Sequence, residues 1–139
     1  MSLLIDSLKS FTSSSPSKKV NYNYQNEFEK KYEFDKRVKE ARSLHSRYPL
    51  RVPIILYPAS KDQPDIEKNK YLVPADINVS QFMYVIKKYI KIKSDEAIFI
   101  FTSNNTLVPN SWTVKELYDQ HKKEDNFLYL YYSIENTFG

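Results

Sequence analysis

The chain has no cysteine among its 139 residues, so disulfides, thiolate metal sites and a cysteine nucleophile are excluded and a reducing compartment is expected. Glycine is nearly as scarce. A soluble chain of this length carries roughly ten, whereas here the single glycine is Gly139, closing the stretch "ENTFG". Loops that cradle phosphate or a dinucleotide need backbone that approaches the ligand without a Cβ. Kinases, nucleotide hydrolases and Rossmann oxidoreductases are therefore excluded. No apolar run reaches the length of about 18 residues that a spanning helix needs, and the first residues lack the apolar stretch and small-residue cleavage pattern of a secretory signal. A cytoplasmic chain is expected. The only histidines are His45 and His121, each in a charge-rich stretch of helical pattern, and no serine sits on a glycine elbow, so no hydrolase constellation forms. Asp62, Asp65 and Glu67 share a loop with lysines and read as a solvated charge run, not a metal site. No enzyme activity, metal or cofactor is expected.

What is present suits one packed domain. Apolar residues make up 41% and aromatics 15% of the chain, ample for a core with some rings left at the surface. Lys and Arg number 21 against 17 Asp and Glu. That mildly basic balance is compatible with nucleic acid, anionic lipid or an acidic peptide, and selects none of them.

Residues 1–25 include the Ser-rich "SFTSSSPSKKV" (10–20) and show no sustained period, as a flexible leader would. Leu4, Ile5, Leu8 and Phe11 fall at helical spacing within it, and could touch a membrane or fill a pocket. Residues 26–139 form the domain. In "NEFEKKYEFDKRVKEARSLHSRYP", Asn26 and Glu29 have capping-box spacing. An apolar stripe of Phe34, Val38, Ala41, Leu44 and Tyr48 runs on to Pro49, predicting a short helix and then a longer one. "RVPIILY" (51–57) and "KYLVP" (70–74) read as strands. Each holds a proline, which donates no ladder hydrogen bond, so at least one open sheet edge is expected.

Asn78 caps a helix with Val79, Phe82, Val85, Ile86, Tyr89 and Ile90 on one face. "AIFIFTSNNTLVP" reads as a strand, a turn at Asn104 and Asn105 with asparagine supplying positive φ, and a short return strand. "SWTVKELYDQHKK" predicts a last short helix. "NFLYLYY" (126–132) is a continuous apolar run of the kind a central strand requires. The result is an α+β domain, one sheet with helices packed over it. The aromatics beside the lysines of "FMYVIKKYIKIK" sit at core-facing spacing, which argues against nucleic-acid binding.

The runs "RYPLRVPIIL", "KNKYLVPADINVSQFMYVIKKYI", "EAIFIF" and "ELYDQHKKEDNFLYLYYS", with the final "FG", together resemble the autophagy ubiquitin-like modifier family, which includes GABA-receptor-associated protein and microtubule-associated protein light chain. The resemblance covers about Asn26 to Gly139. It implies a ubiquitin-like β-grasp preceded by two additional N-terminal helices. It also implies a modifier whose C-terminal glycine, Gly139, is passed between the cysteines of activating and conjugating enzymes and joined to phosphatidylethanolamine. A deconjugating cysteine protease belongs to the same cascade. The lipidated form is expected on the autophagosome membrane, and the protein is then substrate and scaffold, not catalyst.

Family members also recruit cargo receptors through an aromatic-x-x-aliphatic segment that adds a strand to an exposed sheet edge. Carried over by position, Glu40, Leu44, Pro53, Ile55, Lys70, Leu72 and Phe127 take the aromatic side chain, and Tyr71, Val73, Pro74, Ile77, Phe82 and Val85 the aliphatic one. Arg51, Lys68 and Lys70 attract flanking acidic residues. Ile55, Phe82 and Val85 fit a plain core as well as a pocket. Tyr89 and Asn126 depart from common family residues, which leaves receptor preference open. The alternative is a non-conjugated peptide-binding module or a basic cytoskeletal adaptor.

Overall fold

The computed structural model describes residues 26–136; the leader, with its spaced Leu4, Ile5, Leu8 and Phe11, and the terminal Gly139 lie outside them. Helix α1 (Glu27–Lys31) starts at Asn26, whose side chain accepts the Glu29 N–H while Glu29 reaches back, a complete capping box. Helix α2 (Phe34–Arg47) follows. Its apolar stripe holds only in part: Ala41 and Leu44 are buried, but Phe34 is 45% exposed, its ring lying near the Arg37 guanidinium.

Four strands make one sheet in the order β2-β1-β4-β3. β1 (Arg51–Pro58) and β2 (Lys70–Pro74) pair antiparallel, with Pro53 opposite Leu72 and Arg51 opposite Pro74. β4 (Leu128–Asn136) lies parallel to β1 and antiparallel to β3 (Glu96–Thr102). The central position expected for the last strand is observed.

Pro53 sits on an inner strand, yet the rule that confines proline to edges is met locally. Pairing with β4 begins only at Ile54, so at Pro53 the strand has one neighbour. Pro53 and Pro74 also share the same pairing parity with β2 and β1. Since proline has no N–H, these must be the non-hydrogen-bonded pairs, and Val52, Ile54, Tyr71 and Val73 carry the ladder.

Helix α3 (Val79–Ile86) has a capping box from Asn78 and Gln81, and α4 (Val114–His121) one from Thr113 and Glu116. α3 is shorter than its sequence pattern. The chain continues as turns past Lys87 and still buries Ile90. The expected return strand after Asn105 is reduced to a single bridge, Phe101 to Leu107.

Both faces of the sheet are covered. Val52, Ile54, Leu56, Tyr71, Val73, Leu128 and Leu130 pack under Phe82, Ile86, Val114 and Leu117 of α3 and α4. On the opposite face Ile55, Tyr57, Leu72, Phe127, Tyr129 and Tyr131 meet Phe28, Ala41 and Leu44 of α1 and α2. A strand buried on both faces must be apolar at every position, which is why "IILY" and "LYLYY" alternate in no obvious way.

Candidate functional site

Among the described residues, β2 is paired on one side only. Because Lys70, Leu72 and Pro74 occupy non-hydrogen-bonded pairs with β1, the N–H and C=O groups of Lys70 and Leu72 point to the open side. One of them is already engaged: the Arg51 guanidinium donates to the Leu72 carbonyl at 3.2 Å. Alternation then divides the side chains, Leu72 joining the cluster under α1 and α2 and Tyr71 and Val73 the cluster under α3.

This arrangement brings the first predicted group together. Leu44, Ile55, Leu72 and Phe127 belong to one cluster and are fully buried; Pro53 is buried beside them, while Glu40 and Lys70 are half-buried. One Glu40 carboxylate oxygen is buried without a hydrogen bond, and its nearest cation is Arg47 at 3.9 Å. Burial pulls the Lys70 ammonium down to about 8, with the like charge of Lys31 adding to the effect.

The second group is more dispersed. Tyr71, Val73 and Phe82 are core residues without exposed surface, the Tyr71 and Phe82 rings meeting edge to face at 5.4 Å. Ile77 packs partly buried against them, and Pro74 and Val85 keep partial exposure. Of the flanking cations, Lys68 is exposed and Arg51 half-buried. Lys68 also has a structural duty, since its carbonyl accepts the Tyr71 hydroxyl at 2.7 Å. Neither histidine joins the site: His45 is exposed on α2, and His121 stacks on Trp112 at 6.1 Å.

Sequence reasoning missed what fixes α1 and α2 over the sheet. Arg37 is buried and its Nε donates to Asp125 at 2.8 Å; the same carboxylate accepts the Tyr129 hydroxyl at 2.5 Å. Phe28 donates its N–H to the Tyr57 hydroxyl at 3.1 Å and packs against Phe127. The signal was an arginine three residues after the apolar Phe34, on the inward side of the helix. A charge there needs a partner from elsewhere in the chain.

Comparison with known proteins agrees with this geometry. Residues 36–139 match the family described as autophagy protein Atg8, ubiquitin-like. Autophagy-related protein 8d of Arabidopsis thaliana is 48% identical over 113 residues, covering 81% of this chain and 93% of that protein. The crystal structure of Trypanosoma brucei ATG8 superposes with a TM-score of 0.75 at 34% identity, covering 84% of this chain and all of that one. Plasmodium falciparum Atg8, solved in complex with a Plasmodium falciparum Atg3 peptide, gives a TM-score of 0.70 at 28% identity over 78% of this chain and 96% of that one. The β-grasp sheet with two leading helices is thus the Atg8 fold, and the chain belongs to the Atg8 family of autophagy ubiquitin-like modifiers, which act as modifiers and not as enzymes.

Proposed function

We propose that the protein is joined through the Gly139 carboxylate to phosphatidylethanolamine and, on the autophagosome membrane, recruits cargo receptors that carry an aromatic-x-x-aliphatic segment. The observation that carries the recruiting role is the open β2 edge, where the N–H and C=O of Lys70 and Leu72 face outward between two apolar clusters on opposite sheet faces. A peptide strand laid there gains main-chain hydrogen bonds from the edge and specificity from alternate side chains. Leu44, Ile55, Leu72 and Phe127 bound the side that takes the aromatic. Val73, Pro74, Ile77 and Val85 bound the other. Lys68, Lys70 and Arg51 supply the positive potential that speeds encounter with acidic flanks.

For conjugation, the support is family membership together with a terminal glycine. A residue without Cβ offers an unhindered carbonyl carbon and threads a narrow enzyme channel. The conjugating enzyme is the first partner supported, since the Plasmodium falciparum relative was solved with an Atg3 peptide; an activating enzyme and a deconjugating cysteine protease complete the cycle. The test incubates the full chain with activating and conjugating enzymes, ATP and phosphatidylethanolamine liposomes. A faster-migrating lipidated band is expected, lost on deletion of Gly139. No band from the wild type, or a band that survives the deletion, overturns the conjugation reading.

A further inference from the structure

We infer that Gln63 is a positioning residue for conjugation, holding the end of β4 extended up to three residues before Gly139. Pairing of β1 with β4 stops at Pro58 opposite Tyr132, and the Ala59 N–H then closes on the Tyr132 carbonyl at 2.7 Å. β3 runs on beside β4 as far as Asn136. Among the described residues, then, no strand flanks residues 133–136 on the side that β1 has left. The Ile134 N–H points to that side, since Tyr132 and Ile134 share one parity and the Tyr132 carbonyl faces β1. There it donates to the Gln63 side-chain oxygen at 2.6 Å, across 71 positions of sequence.

The loop between β1 and β2 is fastened so that this amide stays in place. The Gln63 N–H closes a turn on the Ser60 carbonyl at 3.0 Å, and the Tyr132 hydroxyl donates to the Pro64 carbonyl. Further along, Ile66 is buried in the core and the Asn69 side-chain amide donates to the Leu56 carbonyl at 2.8 Å. Gln63, half-buried between these anchors, has little freedom left to lose. A longer β1 would supply the same acceptor, but would also carry a wall along the outgoing chain. A single side-chain amide satisfies the N–H and ends there, which leaves room for an enzyme around the last residues.

Holding β4 to its end confines the reacting carboxylate. Three residues lead from Asn136 to Gly139, a reach of at most about 11 Å. Were the strand to fray back to Tyr132, seven residues would lead there, the reach would grow to about 25 Å and the volume open to the carboxylate about tenfold. An enzyme's cysteine must find one carbonyl carbon in that volume, so confinement raises the effective concentration of the reacting group.

This inference rests on the conjugation reading, and the experiment separates the two. The full chain is compared with Gln63→Leu and Gln63→Ala, which remove the acceptor at different side-chain volumes, and with Gln63→Glu, which keeps an oxygen there. Hydrogen exchange at the Ile134 amide should quicken about fivefold in the first two, the worth of one hydrogen bond, and return towards wild type in the third. Steady-state transfer of the chain through the activating and conjugating enzymes to phosphatidylethanolamine should show kcat lowered by about the same fivefold, KM close to wild type, and recovery with Gln63→Glu. A plain loss of stability would not give that split or that recovery. Faster exchange with unchanged kcat, a rise in KM in place of the fall in kcat, or no recovery with Gln63→Glu overturns the proposal. A wild type that forms no conjugate overturns the conjugation reading and this role with it. A wild type that conjugates no better than Gln63→Leu and Gln63→Ala overturns the role of Gln63 alone.

Discussion

Arg37 Nε lies 2.8 Å from Asp125 Oδ2, with the two side chains only 9% and 2% exposed. The other Asp125 oxygen accepts the Phe127 N–H at 3.0 Å, so one carboxylate ties α2 to the start of β4. Removing one partner of such a pair leaves a buried charge alone. Arg37→Ala and Asp125→Ala should each destabilise the fold by about 3–5 kcal/mol, and the double variant by clearly less than the sum. Urea unfolding of the four proteins measures this cycle. Strict additivity would show that the two groups do not act as a pair.

Lys70 should make the proposed peptide binding at the β2 edge depend on pH. Its native pKa of about 8 lies below the ordinary lysine value, so raising pH from 7 to 9 removes most of its charge. Affinity for an acidic-flanked peptide should fall across that interval and level off above it. The loss should be several-fold, and Lys70→Arg should abolish the dependence, because arginine stays charged. Titration calorimetry at a series of pH values reads this directly.

Stability should follow a different course at high pH. Between about 8 and 10 the unfolded chain holds the Lys70 proton that the native state has lost, so the unfolded state binds more protons and stability rises with pH. Above about 10 the sign reverses. Burial raises Tyr57, Tyr71, Tyr129 and Tyr132, so unfolded tyrosines ionise while native ones do not, and stability falls. Thermal unfolding across pH 7 to 11 should therefore pass through a maximum. A monotonic fall from pH 7 would contradict the Lys70 contribution.

Two asparagines hold the positive φ that glycine normally takes, Asn105 at 65° and Asn126 at 72°. Replacing either by alanine should cost about 1–2 kcal/mol, whereas glycine should be tolerated within a few tenths. A loss on glycine replacement as large as that on alanine replacement would mean that the side chain, and not the backbone, is what matters there.

Main-chain pairing at the β2 edge can be tested on the ligand. Methylating the peptide nitrogen that faces the Lys70 carbonyl should weaken binding about tenfold, the worth of one hydrogen bond, and methylating its neighbour, which points away, should change little. Equal effects at both nitrogens would argue against strand addition.

Much of this was legible in the residues. The capping box at Asn26, the cap at Asn78, the "KYLVP" strand and the central "LYLYY" run are local signals, and the structure has them. Periodicity misled where tertiary packing decides. Phe34 belongs to the α2 stripe by spacing but stays exposed beside Arg37, and the α3 pattern outlasts the helix because Ile90 reaches the core from a turn. Pro53 marks a stretch of β1 with a neighbour on one side only, although β1 itself is an inner strand, a distinction set by register, which is a long-range property. The division of Leu72 from Tyr71 and Val73 was readable from alternation alone. That Tyr71 and Phe82 lie wholly inside was not, because spacing does not separate a pocket wall from the core behind it.

The central position of β4 has a mechanical consequence. A chain tethered at its last residue transmits any pull along β4, which is flanked by β1 over Leu128–Tyr132 and by β3 over Leu130–Asn136. Ladder hydrogen bonds run across the strands, so such a load shears two ladders at once instead of peeling one bond after another. Single-molecule pulling from Gly139 should meet a higher unfolding force than pulling from the end of β2, and a copy held to a membrane through Gly139, as proposed above, would yield last at β4.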